Sequence, residues 1–150
     1  DIYLIIDEDK VHEAVVDLIR IGLDNIKGFV NPSELEAYHK QGGDVATIES
    51  INFEQVDELL KEDGYVVLDV RKKSEFDEGH LPNAINIAHT RLLDRINEVP
   101  TDKTLLVHCK SGARSSAAVS LLEQHGISIK YVHDLVDPYL EENNLVLGNK

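Results

Sequence analysis

Short apolar runs alternate with helical patterns along most of this 150-residue chain, and this alternation restricts the possible folds more than any other feature. The continuous runs YVVLDV (65–70) and TLLVH (104–108) are typical of strands that are covered on both faces. Helical segments separate such runs, for example the one from Ala113 to Gln124. Because strands that alternate with helices pair in parallel, we predict an α/β fold with a parallel sheet.

The remaining elements follow from periodicity, capping residues and turn residues. Further strands are predicted at residues 2–6, 26–30, 45–48, 84–87 and 129–132. Further helices are predicted from about Val11 to the turn at Gly22, and at residues 32–40, 52–62, 74–78 and 139–143. Another is predicted to include residues 92–96 and to end before Pro100.

The segment Gln41-Gly42-Gly43-Asp44 is the best candidate for a boundary between domains. On either side of it, LIRIGLDNIKGFV (18–30) and LLEQHGISIKYV (121–132) share the order helix end, glycine, strand. Any β-α-β pair shows some of this likeness, but we favour kinship. We therefore predict that residues 1–43 are the C-terminal remnant of a preceding, related unit without a cysteine, and that 44–150 form the active domain.

Composition excludes several classes of function. The net charge of −13 argues against nucleic acid or an anionic membrane as a partner. No apolar run approaches the ~20 residues of a membrane span. The single cysteine excludes an internal disulfide and a Cys-rich zinc site, and the seven histidines lack metal-ligand spacing, so we expect no metal or cofactor in this segment. Since the chain starts at Asp1 and contains no Met, we expect it to belong to a longer protein.

The only cysteine, Cys109, lies in LLVHCKSGARSSAAVSLLEQHG (105–126), between a strand and a helix. This position brings the sulfur to the helix N-terminus, where unpaired N–H groups and the helix dipole favour negative charge. Gly112 allows the backbone to curl around an anion, and Lys110 and Arg114 add positive charge. We interpret Cys109 as a nucleophilic thiolate rather than as a small buried apolar residue, the alternative reading.

The size of the loop indicates what it holds. Cys109 to Arg114 spans six residues, C-K-S-G-A-R, whereas cysteine phosphatases have one more residue between Cys and Arg, which suits a tetrahedral phosphate. The tighter loop suits one extra sulfur atom on Cys109, held by the amides from Ser111 through Ala113 to Arg114.

Two motifs resemble those of the rhodanese (sulfurtransferase) family. Residues 108–115 resemble HC-x-x-G-x-R-S, and VVLDVRKKSEFDEGHLPNAINI (66–87) is similar to the family's second motif. The resemblance implies a five-stranded parallel sheet with helices on both faces and Cys109 as the catalytic sulfur carrier. It also implies residues around Cys109 that bind substrate (Lys110, Ser111, Gly112, Ala113, Arg114) and residues that support the site (Asp69, Arg71, Ser115).

The implied reaction moves sulfane sulfur from thiosulfate or a low-molecular-weight persulfide to sulfite, cyanide or a thiol. Two alternatives stay open. One is a Cys-dependent phosphatase or arsenate reductase, and the other is a non-catalytic rhodanese-like module in which Cys109 senses redox state.

The order of the units is similar to the C-terminal part of fusions between a metallo-β-lactamase-fold persulfide dioxygenase and rhodanese units. That resemblance implies an upstream domain with iron, a role in sulfide detoxification and a cytoplasmic location, and it leaves a homo-oligomer open. Tandem rhodaneses with an inactive first half are the rival architecture. Residues 133–144 depart from the family pattern, so the substrate is left open there.

Overall fold

The computed structural model describes residues 1–146, and the chain forms two compact units, Asp1–Thr47 and Ile48–Lys150. The division lies four residues after the predicted boundary at Gly43. The kinship of the first unit with the second stays a prediction.

Seven strands and six α-helices make up the described part of the chain. The strands are β1 (Ile2–Ile5), β2 (Ile26–Val30), β3 (Ser50–Ile51), β4 (Tyr65–Asp69), β5 (Ile85–Asn86), β6 (Thr104–His108) and β7 (Ile129–Val132). The helices are α1 (Val11–Arg20), α2 (Pro32–Lys40), α3 (Phe53–Leu59), α4 (Lys73–Glu78), α5 (Ala113–Gln124) and α6 (Val136–Glu142).

The first unit consists of a parallel pair of strands, β1 and β2, with the helices α1 and α2. A capping box starts α2: the Asn31 side chain accepts a hydrogen bond from the Ser33 amide at 3.0 Å, and the Glu34 carboxylate accepts one from the Asn31 amide at 3.0 Å. No residue in the range 1–47 is fully buried.

The second unit contains a five-stranded parallel sheet in the order β3-β7-β6-β4-β5. Its central strands are apolar on both faces, since Leu68 and Val107 join one buried cluster while Val67 and Leu106 join the other. Helix α5 packs in the first cluster, and α3 and α6 pack in the second. The predicted fold class, a five-stranded parallel sheet with helices on both faces, is confirmed.

The sheet order places the candidate site. From β4 the chain continues to β5 on one side, whereas from β6 it continues to β7 on the other side. In open α/β sheets, such a switch point leaves a crevice at the carboxyl ends of the two strands. Asp69 ends β4 and Cys109 follows β6, so both lie at this edge of the sheet.

The predicted strand at residues 45–48 is wrong, because β3 comes later, at Ser50–Ile51. Ile51 pairs with Val132 of β7 and is buried. The residue that anchors this edge strand therefore lies after the predicted segment, 45–48.

The predicted helix at 92–96 is also wrong, since two single 3₁₀ turns, His89–Arg91 and Ile96–Glu98, occupy this region. Leu92 is nonetheless buried, and the His89 amide donates to the Val70 carbonyl at 3.0 Å, which ties the segment to the end of β4. The last helix begins three residues earlier than predicted, at Val136.

Truncation of a buried side chain in the central strand β6 should lower the free energy of unfolding. Leu106 is fully buried in the middle of β6, so Leu106→Ala should lower the free energy of unfolding by about 2–5 kcal/mol. Leu93, which is 60% exposed, provides the matched control, and Leu93→Ala should change the free energy by less than about 0.5 kcal/mol. Urea unfolding followed by circular dichroism measures both, and equal losses would contradict this packing.

Candidate active site

Cys109 lies in a tight turn between β6 and α5 that only glycine can complete at position 112. Gly112 has a φ of 104°, in the left-handed region, and directly precedes the first residue of α5. A Cβ atom there would lie 2.6 Å from the Tyr131 hydroxyl oxygen and 3.0 Å from His133 Cδ2. Both the backbone conformation and the available space therefore require Gly112.

The sulfur of Cys109 is buried and accepts hydrogen bonds from its own loop. The Gly112 amide donates to Sγ at 3.2 Å, and the Ser115 hydroxyl donates at 3.3 Å. Only 2% of Cys109 is exposed, so bulk water contributes little to the solvation of the sulfur.

The thiol of Cys109 has a pKa below its ordinary value. Burial is the largest single influence and raises the pKa, because it disfavours the thiolate. The hydroxyl and amide of Ser115 and the amides of Ser111 and Gly112 each lower the pKa, and together they outweigh burial. Neutral donors are therefore the main stabilisers of the thiolate.

The carbonyl of Gly112 fixes the shape of the loop. It accepts hydrogen bonds from the Ser116 amide at 2.8 Å, the Ser115 hydroxyl at 3.0 Å and the Tyr131 hydroxyl at 3.1 Å. Ser115 has a single hydroxyl proton for two acceptors, and negative charge on the Cys109 sulfur draws that proton toward sulfur. Tyr131, on the neighbouring strand β7, is a supporting residue that the sequence analysis missed, because a tyrosine in a strand gives no signal beyond core packing.

Arg114 lies beside the loop in a paired state. Its guanidinium donates to both carboxylate oxygens of Glu75, at 2.6 and 2.8 Å. The side-chain hydrogen bonds from Arg114 hold the pKa of Glu75 down at about 2. The pKa of Arg114 is raised mainly by Glu75 and to a smaller extent by the nearby Cys109. Glu75, a residue of the second sequence motif, is thus a positioning partner for Arg114.

Lys110 is paired as well. Its ammonium lies 2.7 Å from the Asp137 carboxylate on α6, and its carbonyl accepts a hydrogen bond from the Val136 amide at 3.1 Å. The pKa of Lys110 is raised, chiefly by its hydrogen bond to Asp137. The segment that departs from the family pattern therefore contacts the Cys109 loop through α6.

Asp69 and Arg71 form a buried ion pair at the end of β4, with Nη2 and Oδ2 2.6 Å apart. Arg71 also donates to the Gly79 carbonyl at 2.7 Å, and the Asn86 side chain donates to the carbonyls of Asp69 and Arg71. These bonds tie three segments together, which agrees with the supporting, architectural role that we predict for the pair.

His108 and His80, the two histidines of the sequence motifs, make contacts that stabilise the fold. His108 is fully buried, its Nδ1 lies 3.1 Å from the Cys109 carbonyl oxygen, and burial lowers its pKa. Its Nε2 has no hydrogen-bond partner among residues 1–146 and lies 3.6 Å from Asp69 Oδ2. His80 stacks on Phe76, and its Nδ1 lies 2.8 Å from the Phe76 carbonyl oxygen.

A cleft of about 210 Å³ opens beside the loop. Its walls combine the end of β4, α4, the Cys109 loop and α6, and its lining residues are Arg71, Glu75, Glu78, Gly79, Lys110, Asp137, Leu140, Glu141 and Val146. Of the predicted site residues, the cleft thus brings Lys110 and Arg71 together with α6. The lining does not include the other predicted loop residues, Cys109, Ser111, Gly112, Ala113 and Arg114.

Within residues 1–146, His, Cys, Asp and Glu side chains form no group of three or more that could hold a metal ion. In the same part of the chain, none of the helices has the length and apolar character needed to cross a membrane.

Comparison with known proteins gives a consistent result. Residues 52–136 match the family described as Rhodanese-like domain. An uncharacterized protein of Bacillus subtilis is 37% identical over 65 residues, which cover 43% of this chain and 52% of that protein. The thiosulfate sulfurtransferase GlpE of Pseudomonas syringae is 34% identical over 77 residues, which cover 51% of this chain and 73% of that protein. The chain thus spans about half the length of the first relative and about three quarters of the second.

Among solved structures, a rhodanese-related protein from Thermoplasma volcanium is 37% identical, with a TM-score of 0.57 over 63% of this chain and 92% of that one. These similarities confirm the predicted family and support the predicted enzyme class, a rhodanese-type sulfurtransferase.

Removal of the hydroxyl beside the sulfur should make Cys109 less acidic. Ser115→Ala deletes a donor to Sγ, so the midpoint of the alkylation rate against pH should move upward, toward the value of about 8.5 for a free cysteine. Ser116→Ala is the matched control, because the Ser116 hydroxyl bonds the Ala113 carbonyl rather than the sulfur, and it should leave the midpoint unchanged. Identical midpoints in all three proteins would contradict the role of Ser115.

Proposed function

Because this chain belongs to the rhodanese-like domain family, we propose that it is a sulfurtransferase in which Cys109 carries the transferred sulfur as a persulfide. The observation that carries the proposal is the set of donors around Sγ, which lowers the pKa of a thiol located at the switch point of the sheet. An acidic thiol provides the attacking thiolate at neutral pH.

In the first step, the Cys109 thiolate attacks the sulfane sulfur of the donor. A new S–S bond forms to Cys109, and the bond between that sulfur and the rest of the donor breaks. Thiosulfate releases sulfite, and a low-molecular-weight persulfide releases its thiolate, which takes up a proton. The step requires neither an oxidant nor a metal, since sulfur and its bonding electrons move within the reacting pair.

In the second step, a nucleophile such as sulfite, cyanide or a thiolate attacks the outer sulfur of the Cys109 persulfide. The S–S bond breaks, and Cys109 leaves as a thiolate, which the donors of Ser115, Gly112 and Ser111 stabilise. A better stabilised thiolate is a better leaving group, so the same loop assists both steps.

The wider context is also part of the proposal. We place this chain in a sulfide- or persulfide-oxidising fusion protein of the cytoplasm, with a metallo-β-lactamase-fold domain upstream and iron in that domain. The strand and helix order of residues 1–43 supports a preceding related unit. The full-length sequence and the iron content of the purified protein test this context, and an upstream domain of another kind would refute it.

The sulfur-carrier role predicts a defined mass change. Incubation with thiosulfate or glutathione persulfide should add one sulfur atom to the protein, and cyanide should then remove it with release of thiocyanate. Intact-protein mass spectrometry and a thiocyanate assay follow the two steps.

Cys109→Ser should abolish both the added mass and the release of thiocyanate, because the serine hydroxyl does not form the persulfide. Ser116→Ala, in which the loop cysteine is retained, should keep both. Turnover that survives in Cys109→Ser would refute the proposal, as would hydrolysis of aryl phosphates faster than formation of thiocyanate.

A further inference from the structure

The cleft beside the Cys109 loop is acidic. Four carboxylates line it, against two cationic side chains, Arg71 and Lys110. The carboxylates belong to Glu75, Glu78, Asp137 and Glu141. Two of the lining residues belong to or hold the Cys109 loop, since Lys110 directly follows Cys109 and Glu75 binds Arg114. The carboxylates of the cleft therefore contribute to the electrostatic potential around the loop.

Among residues 1–146, the two cations that line the cleft, Arg71 and Lys110, are both paired, and so is Arg114 beside them. Arg71 binds Asp69, Lys110 binds Asp137, and Arg114 binds Glu75. Together these three cations and their partners are neutral, and the two remaining carboxylates, Glu78 and Glu141, give the cleft a net charge of −2. Both are exposed, and none of the ion pairs found among residues 1–146 engages them.

Such a cleft opposes the approach of anions. Thiosulfate carries two negative charges, and the chain as a whole adds a net charge of −13. Asp137 affects the approach of anions directly, because it holds the exposed cation of the loop, Lys110, in a 2.7 Å ion pair. A small molecule that carries a positive charge near its sulfur would instead be attracted to Glu78 and Glu141.

On the basis of the proposed function, we infer that the site prefers an aminothiol, a thiol with an ammonium group close to its sulfur, as the acceptor of sulfane sulfur, and that Asp137 is a residue that determines this specificity. The acceptor thiolate attacks the outer sulfur of the Cys109 persulfide and forms a new S–S bond. The existing S–S bond breaks, and Cys109 leaves as a thiolate. The ammonium group takes no part in the bond changes and acts through its attraction to the cleft carboxylates.

The test compares three acceptors of similar size and different charge: cysteamine, 2-mercaptoethanol and mercaptoacetate. Cys109 is first loaded with one sulfur atom and freed of donor, and mass spectrometry follows the loss of that sulfur. The three thiols differ in their thiolate fraction and in their intrinsic nucleophilicity. To correct for both, the rate of each thiol with the Cys109 persulfide is divided by its rate with a small-molecule persulfide under the same conditions. At low ionic strength the corrected rate for cysteamine should exceed that for mercaptoacetate by about 10-fold or more, and salt should reduce the ratio.

Two variants should reduce the same ratio. Asp137→Asn frees Lys110 to attract mercaptoacetate, and the double variant Glu78→Gln/Glu141→Gln removes the unpaired carboxylates. Glu123→Gln is the matched control: Glu123 is exposed on α5 and does not line the cleft, so the ratio should stay unchanged.

The possible outcomes separate the two proposals. If all three acceptors discharge the persulfide at equal corrected rates, or if mercaptoacetate is fastest, the inferred specificity is refuted while the sulfurtransferase function stands. If Cys109 accepts no sulfur, both proposals fail. If cyanide removes the sulfur but none of the three thiols does, the inferred specificity is refuted while the sulfurtransferase function stands.

Discussion

The backbone of the Cys109 loop is the constraint on which the rest of the site depends. The Ser116 amide and the Tyr131 hydroxyl bind the Gly112 carbonyl, and Gly112 itself has a conformation in the left-handed region. With the backbone on both sides of Gly112 held in this way, the Gly112 amide and the Ser115 hydroxyl donate to the sulfur. Because these donors are held by the fold before any substrate arrives, they stabilise negative charge on sulfur without reorganisation.

The surrounding charges have a different role. The ion pairs Glu75–Arg114 and Lys110–Asp137 connect α4 and α6 to the loop, and the pair Asp69–Arg71 lies at the end of β4. The buried pair is tied further to the Gly79 carbonyl, so it holds the turn that follows α4. The three pairs leave no net positive charge, and the charge that an incoming molecule meets is therefore set by the carboxylates of the cleft.

The sequence was sufficient to predict the fold class and the strand that leads to the cysteine, because buried parallel strands give continuous apolar runs. It was not sufficient for the edge strand β3, which has two residues and leaves no periodic signal, whereas the equally short β5 lies within the strand predicted at 84–87. The predicted helix at 92–96 is wrong because a buried leucine does not require a helix. Leu92 is buried directly after a 3₁₀ turn, and the apolar pattern alone does not distinguish the two structures.

The site shows the same limit. The loop residues could be predicted because they are contiguous, and Asp69 and Arg71 because they follow a strand. The partners of the cations could not, since Glu75 is 39 residues from Arg114 and Asp137 follows the last strand in a segment without a family pattern. The sequence predicts that Lys110 shares in the stabilisation of the thiolate, whereas in the structure that cation is paired and the loop donors lower the pKa of Cys109.

The central claim is that the neutral loop donors, and not the cation that follows the cysteine, hold the charge of Cys109. Its most direct test is the thiol pKa of the double variant Lys110→Ala/Asp137→Ala. This variant removes one cation and its partner together and leaves the net charge unchanged. Thiolate absorbance as a function of pH should give the same pKa as in the unmodified protein. A rise toward the value of free cysteine, about 8.5, would contradict the claim and assign the stabilisation to Lys110.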